Sequence, residues 1–346
     1  MNISFTTFNL HLFQPWIIAR GRTDVANVVV VELTDDDGLV GRGEAAPISR
    51  YQESIKSVEN FLQKVDPARL SADSISQSMA YLETLSDREM AAKCSLNIAL
   101  LDLAAKRARK PLHDFLELGF REKHNVTSFT IGLGDPSLTR EKVLAARDFP
   151  VLKIKVGGAE DQAALQAVRE VAPEKRVRLD ANEAWHTREE ALKNIEWLAR
   201  DPHVEFVEQP LPAAAPPGDW IWLKQRSPLP IFADESHHLA VDTARAAECF
   251  HGVNIKLVKS AGVTGALEAL RAARNAGLKT MLGCMIETSI LISAAAHLAE
   301  LCDYLDLDGN LLTTNDPFLG VTAKNGILSF AHAPEKYGLR VSAREG

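Results

Sequence analysis

Three carboxylates and three lysines hold most of the chemistry this sequence can do. Asp180 closes "VRLD" (177–180), Glu208 closes "VEFVE" (204–208), and Asp234, followed by Glu235, closes "LPIFAD" (229–234). Acids at the ends of successive strands would repel one another unless a cation sat between them. An all-oxygen donor set suits a hard divalent ion such as Mg²⁺, which keeps positions for water or substrate oxygens. The run before this triplet, "VLKIKV" (151–156), carries Lys153 and Lys155, and the run after it, "VNIKLV" (253–258), carries Lys256. A divalent cation disfavours a neighbouring ammonium, so a lysine there can work as a general base near neutral pH. Later, "YLDLD" (304–308) places Asp306 and Asp308 two apart. On a strand they would share one side and call for a second positive group.

These residues need a scaffold that gathers the ends of many strands. From about Val126, eight short apolar runs alternate with helix-length segments such as "DQAALQAVREVA" and "ALEALRAARNAG". Besides the six runs already quoted, "VTSFTI" (126–131) and "LKTMLG" (278–283) complete the eight, spaced by roughly 20–30 residues, the rhythm of parallel βαβ units. Eight units favour a closed (β/α) barrel over an open doubly wound sheet, and barrel sites form at the C-terminal strand ends. The second and sixth strands, with Lys155 and Lys256, then stand on opposite sides of the site. Upstream, "NVVVVEL" (27–33), the turn "TDDDG" (34–38) and "LVGRGEA" (39–45) read as a hairpin. Residues from Tyr51 to about Leu116 read as helical, most clearly over 88–108, where Ala92, Leu96, Ala99, Leu100 and Leu103 recur at three- and four-residue steps. The expected division is an α+β capping domain over 1–120, the barrel over 121–320, and a segment, 321–346, that returns to the cap.

Composition narrows the class. Of the 346 residues, 46% are hydrophobic and 25% charged, as in an ordinary globular protein. A net charge of −7 without a dense Lys/Arg tract argues against a nucleic-acid partner. No apolar stretch approaches the roughly 18 residues that span a membrane. The start, "MNISFTTFNLHLF", lacks the pattern of a secretory signal. The four cysteines are scattered without metal or disulfide spacing. A reduced, cytoplasmic setting is expected, with no membrane partner, and a homo-oligomer whose order the sequence leaves open.

"KIK" (153–155), "LDAN" (179–182), "VEQPL" (207–211), "ADES" (233–236), "NIKLVKSAG" (254–262) and "GCMIETS" (283–289) together resemble the enolase superfamily, specifically its muconate-lactonizing subgroup. The likeness covers nearly the whole chain. It implies a modified barrel with an α+β cap, Asp180, Glu208 and Asp234 as Mg²⁺ ligands, Lys155 and Lys256 as acid/base catalysts, and Lys153 neutralising the substrate carboxylate. The implied reaction removes a proton α to a carboxylate and stabilises the resulting enediolate. Two opposed lysines then invert the centre.

Within the subgroup, "DLD" at 306–308 resembles the eighth strand of dipeptide epimerases, where the pair holds the substrate's free ammonium. Thr130 resembles a threonine of the same enzymes. The resemblance thus implies a dipeptide substrate inverted at its C-terminal residue, with L-Ala-D/L-Glu as the leading expectation. In those enzymes an arginine of the cap loop engages the glutamate. Here "IIARGRTDV" (17–25) offers Arg20 and Arg22, with Gly21 at the matching place and Asp24 of opposite sign. Cationic or hydrophobic dipeptides therefore stay open, as do N-succinylamino acid racemase, o-succinylbenzoate synthase and muconate cycloisomerase activities. A metal-stabilised binding barrel without catalysis is the non-enzyme alternative. Glu287 is expected to pair with a lysine, in a structural role or as a substrate contact alike. Lys259 should point away from the Lys256 face as a supporting residue, His237 and His238 should serve a loop, and Gly157–Gly158 should form a turn.

Overall fold

The computed structural model of the chain describes residues 1–345. The β-branched run at 28–31 lies in β2 (Gly21–Thr34), which pairs antiparallel with the long β1 (Asn2–Ile18) and with β3 (Val40–Ala45). The hairpin read from sequence is β2–β3, and β2 begins earlier than expected because Gly21 to Val25 pair with β1. Asp35 closes the turn by accepting the Asp37 and Leu39 amides. Three helices follow, α1 (Ile55–Leu62), α2 (Ile75–Leu85) and α3 (Met90–Arg107). α3 is buried from Ala91 to Ala105 and lies directly on β3. The approach depends on Gly41, where a Cβ would come within 2.6 Å of Leu103 Cγ.

Eight parallel strands follow in chain order: β4 (Phe129–Ile131), β5 (Val151–Lys155), β6 (Arg176–Asp180), β7 (Val204–Glu208), β8 (Ile231–Ala233), β9 (Gly252–Lys256), β10 (Lys279–Gly283) and β11 (Tyr304–Asp306). Each successive pair is separated by a helix. All eight expected runs are strands, and the open-sheet alternative falls because the last strand returns to the first. A bridge between Thr127 and Leu305, with the Ser128 amide donating to Leu305 O at 3.1 Å, draws the edges together. Parallel register sets Lys155 beside Asp180 and Asp180 beside Glu208, so their side chains reach one level.

Inside the barrel, Phe206, Phe232 and Met281 form a plug with Tyr304; the two phenylalanine rings stack at 4.2 Å. Phe206 and Phe232 stand two residues before Glu208 and Asp234, so the strand period puts the polar site directly above an apolar floor. After β11 the chain forms a short turn (Gly309–Leu312) and small antiparallel pairs, then reaches α3. There the Leu339 amide donates to Asp102 Oδ1 at 2.8 Å. Among the described residues no helix is long and apolar enough to cross a membrane.

A buried histidine pair fastens this last segment. His113 Nδ1 and His297 Nδ1 are 2.7 Å apart, and the His113 amide also donates to His297 Nδ1. His297 must then carry its proton on Nε2, which faces Leu339 O at 3.2 Å. Burial first, then the other ring's charge, holds His297 well below its ordinary value; burial lowers His113 too. Each ring thus takes up a proton less readily when folded than in the unfolded chain, which binds protons below pH about 6.5. Stability is therefore unaffected by the pair above that pH and declines as pH falls below it. In His297→Gln the drop in Tm between pH 7.5 and 5.5 is expected to shrink; an unchanged pH dependence would exclude this role.

Candidate active site

At the C-terminal mouth of the barrel, one oxygen from each of Asp180, Glu208 and Asp234 lies within 4.8 Å of the others, and all three residues are buried. Each is held by named neighbours. Asp180 Oδ2 lies 2.7 Å from Lys155 Nζ and 3.1 Å from Lys153 Nζ, and its Oδ1 accepts the Asn182 amide. Asp234 Oδ2 accepts from Lys256 at 2.8 Å and its Oδ1 from Lys259 at 2.6 Å. Glu208 Oε1 accepts from Asn254 Nδ2 at 2.8 Å. Glu208 Oε2 is buried and accepts no hydrogen bond, its one close cation being Lys153 Nζ at 2.8 Å, which it shares with Asp180 and Asp306. Such an oxygen, in an all-carboxylate set at this spacing, fits a hard divalent cation.

Electrostatics follow from that crowding. Burial, and then the charge of Asp180, pushes Glu208 up to about 8. Burial also acts on Asp180 and Asp234, but their lysines outweigh it and hold both below the usual carboxylate range. Burial would lower Lys256, yet Asp234 outweighs it and the ammonium is held above its ordinary value. The lowering expected at a catalytic lysine therefore depends on charge brought to the triad, because the side chains themselves hold Lys256 up.

Lys153 joins the triad to the last strand through Asp306 Oδ2 at 2.8 Å. Asp306 Oδ1 accepts from Ser128 Oγ at 2.6 Å and from Thr130 Oγ1 at 3.3 Å. Asp308 stands two residues past Asp306, beyond the strand end, and accepts the Thr130 amide at 2.5 Å. Burial, then the charge of Asp306, pushes Asp308 up to about 7. The expected pair is thus asymmetric: Asp306 is committed to Lys153 and Ser128, while Asp308 has no cation of its own among the described residues.

The cap covers this mouth. Trp16 at the end of β1 places its ring 5.6 Å from Lys155 Nζ, and the Leu133 amide donates to Ile17 O. Between cap and barrel lies a cavity of about 570 Å³ lined by Lys153, Lys155, Lys256, Asp306, Asp308 and Thr130, and by residues of the 16–27 and 46–55 stretches of the cap.

Of the residues singled out from sequence, Arg20 lies at the cavity mouth, paired with Glu183 and Glu235, and Arg22 lies further out, paired with the exposed Asp24. Glu287 departs from expectation. It is buried beside Glu44, pairs with no lysine among the described residues and stays outside the lining; burial, then Glu44, pushes it well above the carboxylate range. Lys259 departs too. The chain leaves β9 into a tight helical turn (Leu257–Ser260), which swings Lys259 back onto Asp234 and not away from it. His238 and His237 serve the loop after β8, and Gly157 and Gly158 turn the chain by donating to Asp161. Sequence reasoning passed over Ser128 and Asn254, although each lies two residues before a chosen residue, Thr130 and Lys256: Asn254 on the same face of β9, Ser128 just ahead of β4. A Cβ at Gly283 would stand 2.5 Å from Asn254 Oδ1, so that glycine makes room for the amide that orients Glu208. Gln209 was missed as well; its Oε1 accepts the Asp234 amide.

A capped parallel barrel whose mouth sets a carboxylate triad between two lysines is an arrangement suited to acid/base chemistry beside a divalent cation. The chain belongs to the mandelate racemase / muconate lactonizing enzyme family of the enolase superfamily: residues 2–117 match that family's N-terminal domain, and residues 138–338 match the enolase C-terminal domain-like family. It is 59% identical to an L-Ala-D/L-amino acid epimerase of Pedosphaera parvula, covering 99% of this chain and 100% of the relative. Identity to an L-Ala-D/L-Glu epimerase of Bacteroides thetaiotaomicron is 36%, covering 96% and 86%. The crystal structure of a dipeptide epimerase from Enterococcus faecalis complexed with Mg and L-Leu-L-Tyr aligns at a TM-score of 0.89 and 31% identity, covering 98% of both chains.

Proposed function

We propose that this protein is a Mg²⁺-dependent dipeptide epimerase that inverts the α-carbon of the dipeptide's C-terminal residue. One observation carries the chemistry: Lys155 and Lys256 stand on β5 and β9, four strands apart in an eight-stranded ring, each beside a different member of the triad. One lysine takes the α-proton and the other returns a proton to the opposite face, which inverts the centre. Asp180, Glu208 and Asp234 would hold the cation. When bound, it supplies positive charge against the developing charge on the substrate carboxylate. Lys153 adds a fixed ammonium on the same side, and Trp16 of the cap sets its ring 5.6 Å from Lys155 Nζ, over the reacting face.

Asp308 supports a dipeptide over an N-succinylated or muconate-type substrate, because a buried carboxylate without a cation favours a free ammonium and disfavours an acylated amine. A cytoplasmic setting fits the four free cysteines.

In D₂O with Mg²⁺, L-Ala-L-Xaa dipeptides are expected to gain one deuterium at the C-terminal α-carbon and to accumulate the L-Ala-D-Xaa epimer. A chelator is expected to stop both, and added Mg²⁺ to restore them. No exchange across a broad dipeptide library would remove this reading.

A further inference from the structure

At the cavity mouth two arginines from the cap meet two glutamates from the barrel. Arg50 donates to both oxygens of Glu183, from Nε at 2.9 Å and from Nη2 at 2.8 Å. Arg20 Nη1 lies 3.1 Å from Glu183 Oε2 and 2.6 Å from Glu235 Oε1, and it also donates to Asn182 O. The Ala213 amide adds a fourth donor to Glu183, at 2.7 Å. One carboxylate thus ties together the β1–β2 turn, the 46–55 loop of the cap, and the barrel loops after β6 and β7. Its side chain is 8% exposed, whereas that of Arg50 is 38% exposed.

The backbone is bent to make this junction. Asn182 and Glu183 have φ of 45° and 68°, the left-handed region that side chains other than glycine enter at a cost. Such strain persists where the surroundings hold it in place, and it gathers at functional sites. Here the Glu183 amide donates to Gln209 O at 2.8 Å, and the two cap arginines hold the side chain.

The charges cancel: two guanidiniums face two carboxylates. Arg22 adds no free charge, because Asp24 pairs with it outside. Glu53, also in the lining, is pushed up to about 7, chiefly by burial. The remaining walls near the mouth include Ile18, Val25 and Ile48. Among the described residues an acidic side chain finds no unpaired arginine there, and the one carboxylate near the mouth without a cation, Glu53, is held toward its neutral form by burial.

We infer that Glu183 is a positioning and specificity-determining residue, which closes the two cap loops over the site and cancels their arginines so that dipeptides with an uncharged second side chain are selected. This rests on the dipeptide-epimerase reading and deepens it. A balanced rim neither steers nor rejects by charge, so removing one member must bias it with a predictable sign.

The test compares kcat and KM for L-Ala-L-Met, L-Ala-L-Glu and L-Ala-L-Lys. The wild type is expected to favour L-Ala-L-Met over both charged dipeptides. Glu183→Gln should raise KM for L-Ala-L-Met about fivefold with kcat within about threefold, and should shift the Glu/Met ratio of kcat/KM about tenfold toward Glu. Arg50→Gln removes the opposite charge and should shift the ratio the other way, toward Lys. Glu183→Asp keeps the charge at a shorter reach, so it should restore the ratio without restoring KM. If Glu183→Gln does not fold, the opposite-sign shift in Arg50→Gln decides the matter. A wild type that prefers L-Ala-L-Glu, or variants whose ratios stay put or move together, overturns the inference while leaving the epimerase standing. A wild type that exchanges no dipeptide overturns the epimerase reading instead.

Discussion

Lys155→Ala and Lys256→Ala are each expected to lose epimerisation of L-Ala-L-Xaa by about 10³-fold or more, within the range that a positioned acid or base contributes, doubled in part by the loss of its partner's turnover. The two variants should differ in what survives. Each retains one lysine on one face, so each should still exchange the α-proton of one epimer with solvent while failing to deliver a proton to the other side. The surviving epimer must be opposite in the two variants. Arginine replacements sharpen the result, because they keep a cation beside Asp180 or Asp234 but cannot give up its proton near neutral pH. Lys155→Arg and Lys256→Arg should therefore fold with the triad's charge compensated and still fail to epimerise. If either alanine variant turns over both epimers, or if both lose exchange of the same epimer, opposed bases are not the mechanism.

That experiment is legible in the sequence because its residues obey strand geometry. Lys153 and Lys155 share a face by period two, Asp180 and Glu208 end adjacent strands in register, and β5 and β9 are opposite by count alone. The same rule reaches Asn254 when it is applied one step back along β9, and Ser128 lies just ahead of β4, two residues before Thr130. It fails where the chain is no longer a strand. Lys259 looked misdirected only while 253–258 was read as extended; the tight turn starting at Leu257 reverses its direction. Asp308 looked like the twin of Asp306, yet it sits past the strand end, where φ −120° and ψ 4° begin a helical turn, and so it has different partners. Glu183 was hidden for another reason. Its role depends on two arginines more than 130 positions away in the chain, brought over the barrel by the cap, and no local pattern encodes that meeting.

Asp308→Asn is expected to lower kcat/KM for a free dipeptide by about 10²–10³-fold, the scale of losing one charge from a buried, hydrogen-bonded ion pair at about 1.4 kcal/mol per tenfold. The substitution is nearly isosteric, and the amide oxygen can still accept from the Thr130 backbone, so the change falls on charge more than on shape. Asp306→Asn should behave differently, because it strips Lys153 of one of three carboxylates and disturbs the triad as well as the substrate. Its loss should include a fall in kcat, whereas that of Asp308→Asn should lie mainly in KM. The acid–base behaviour of Asp308 gives a second readout. Because burial and Asp306 push it up to about 7, it gains a proton as pH falls through that value and can then no longer hold an ammonium as a charge pair. KM for the free dipeptide should rise below pH about 7 in the wild type and stay flat in Asp308→Asn. The preference for a free over an N-acetylated dipeptide should collapse in the same variant. A variant that keeps both the wild-type preference and the wild-type pH profile would show that the ammonium binds elsewhere, and Asp308 would then be left as a carboxyl group serving only the barrel's closing seam at Thr130.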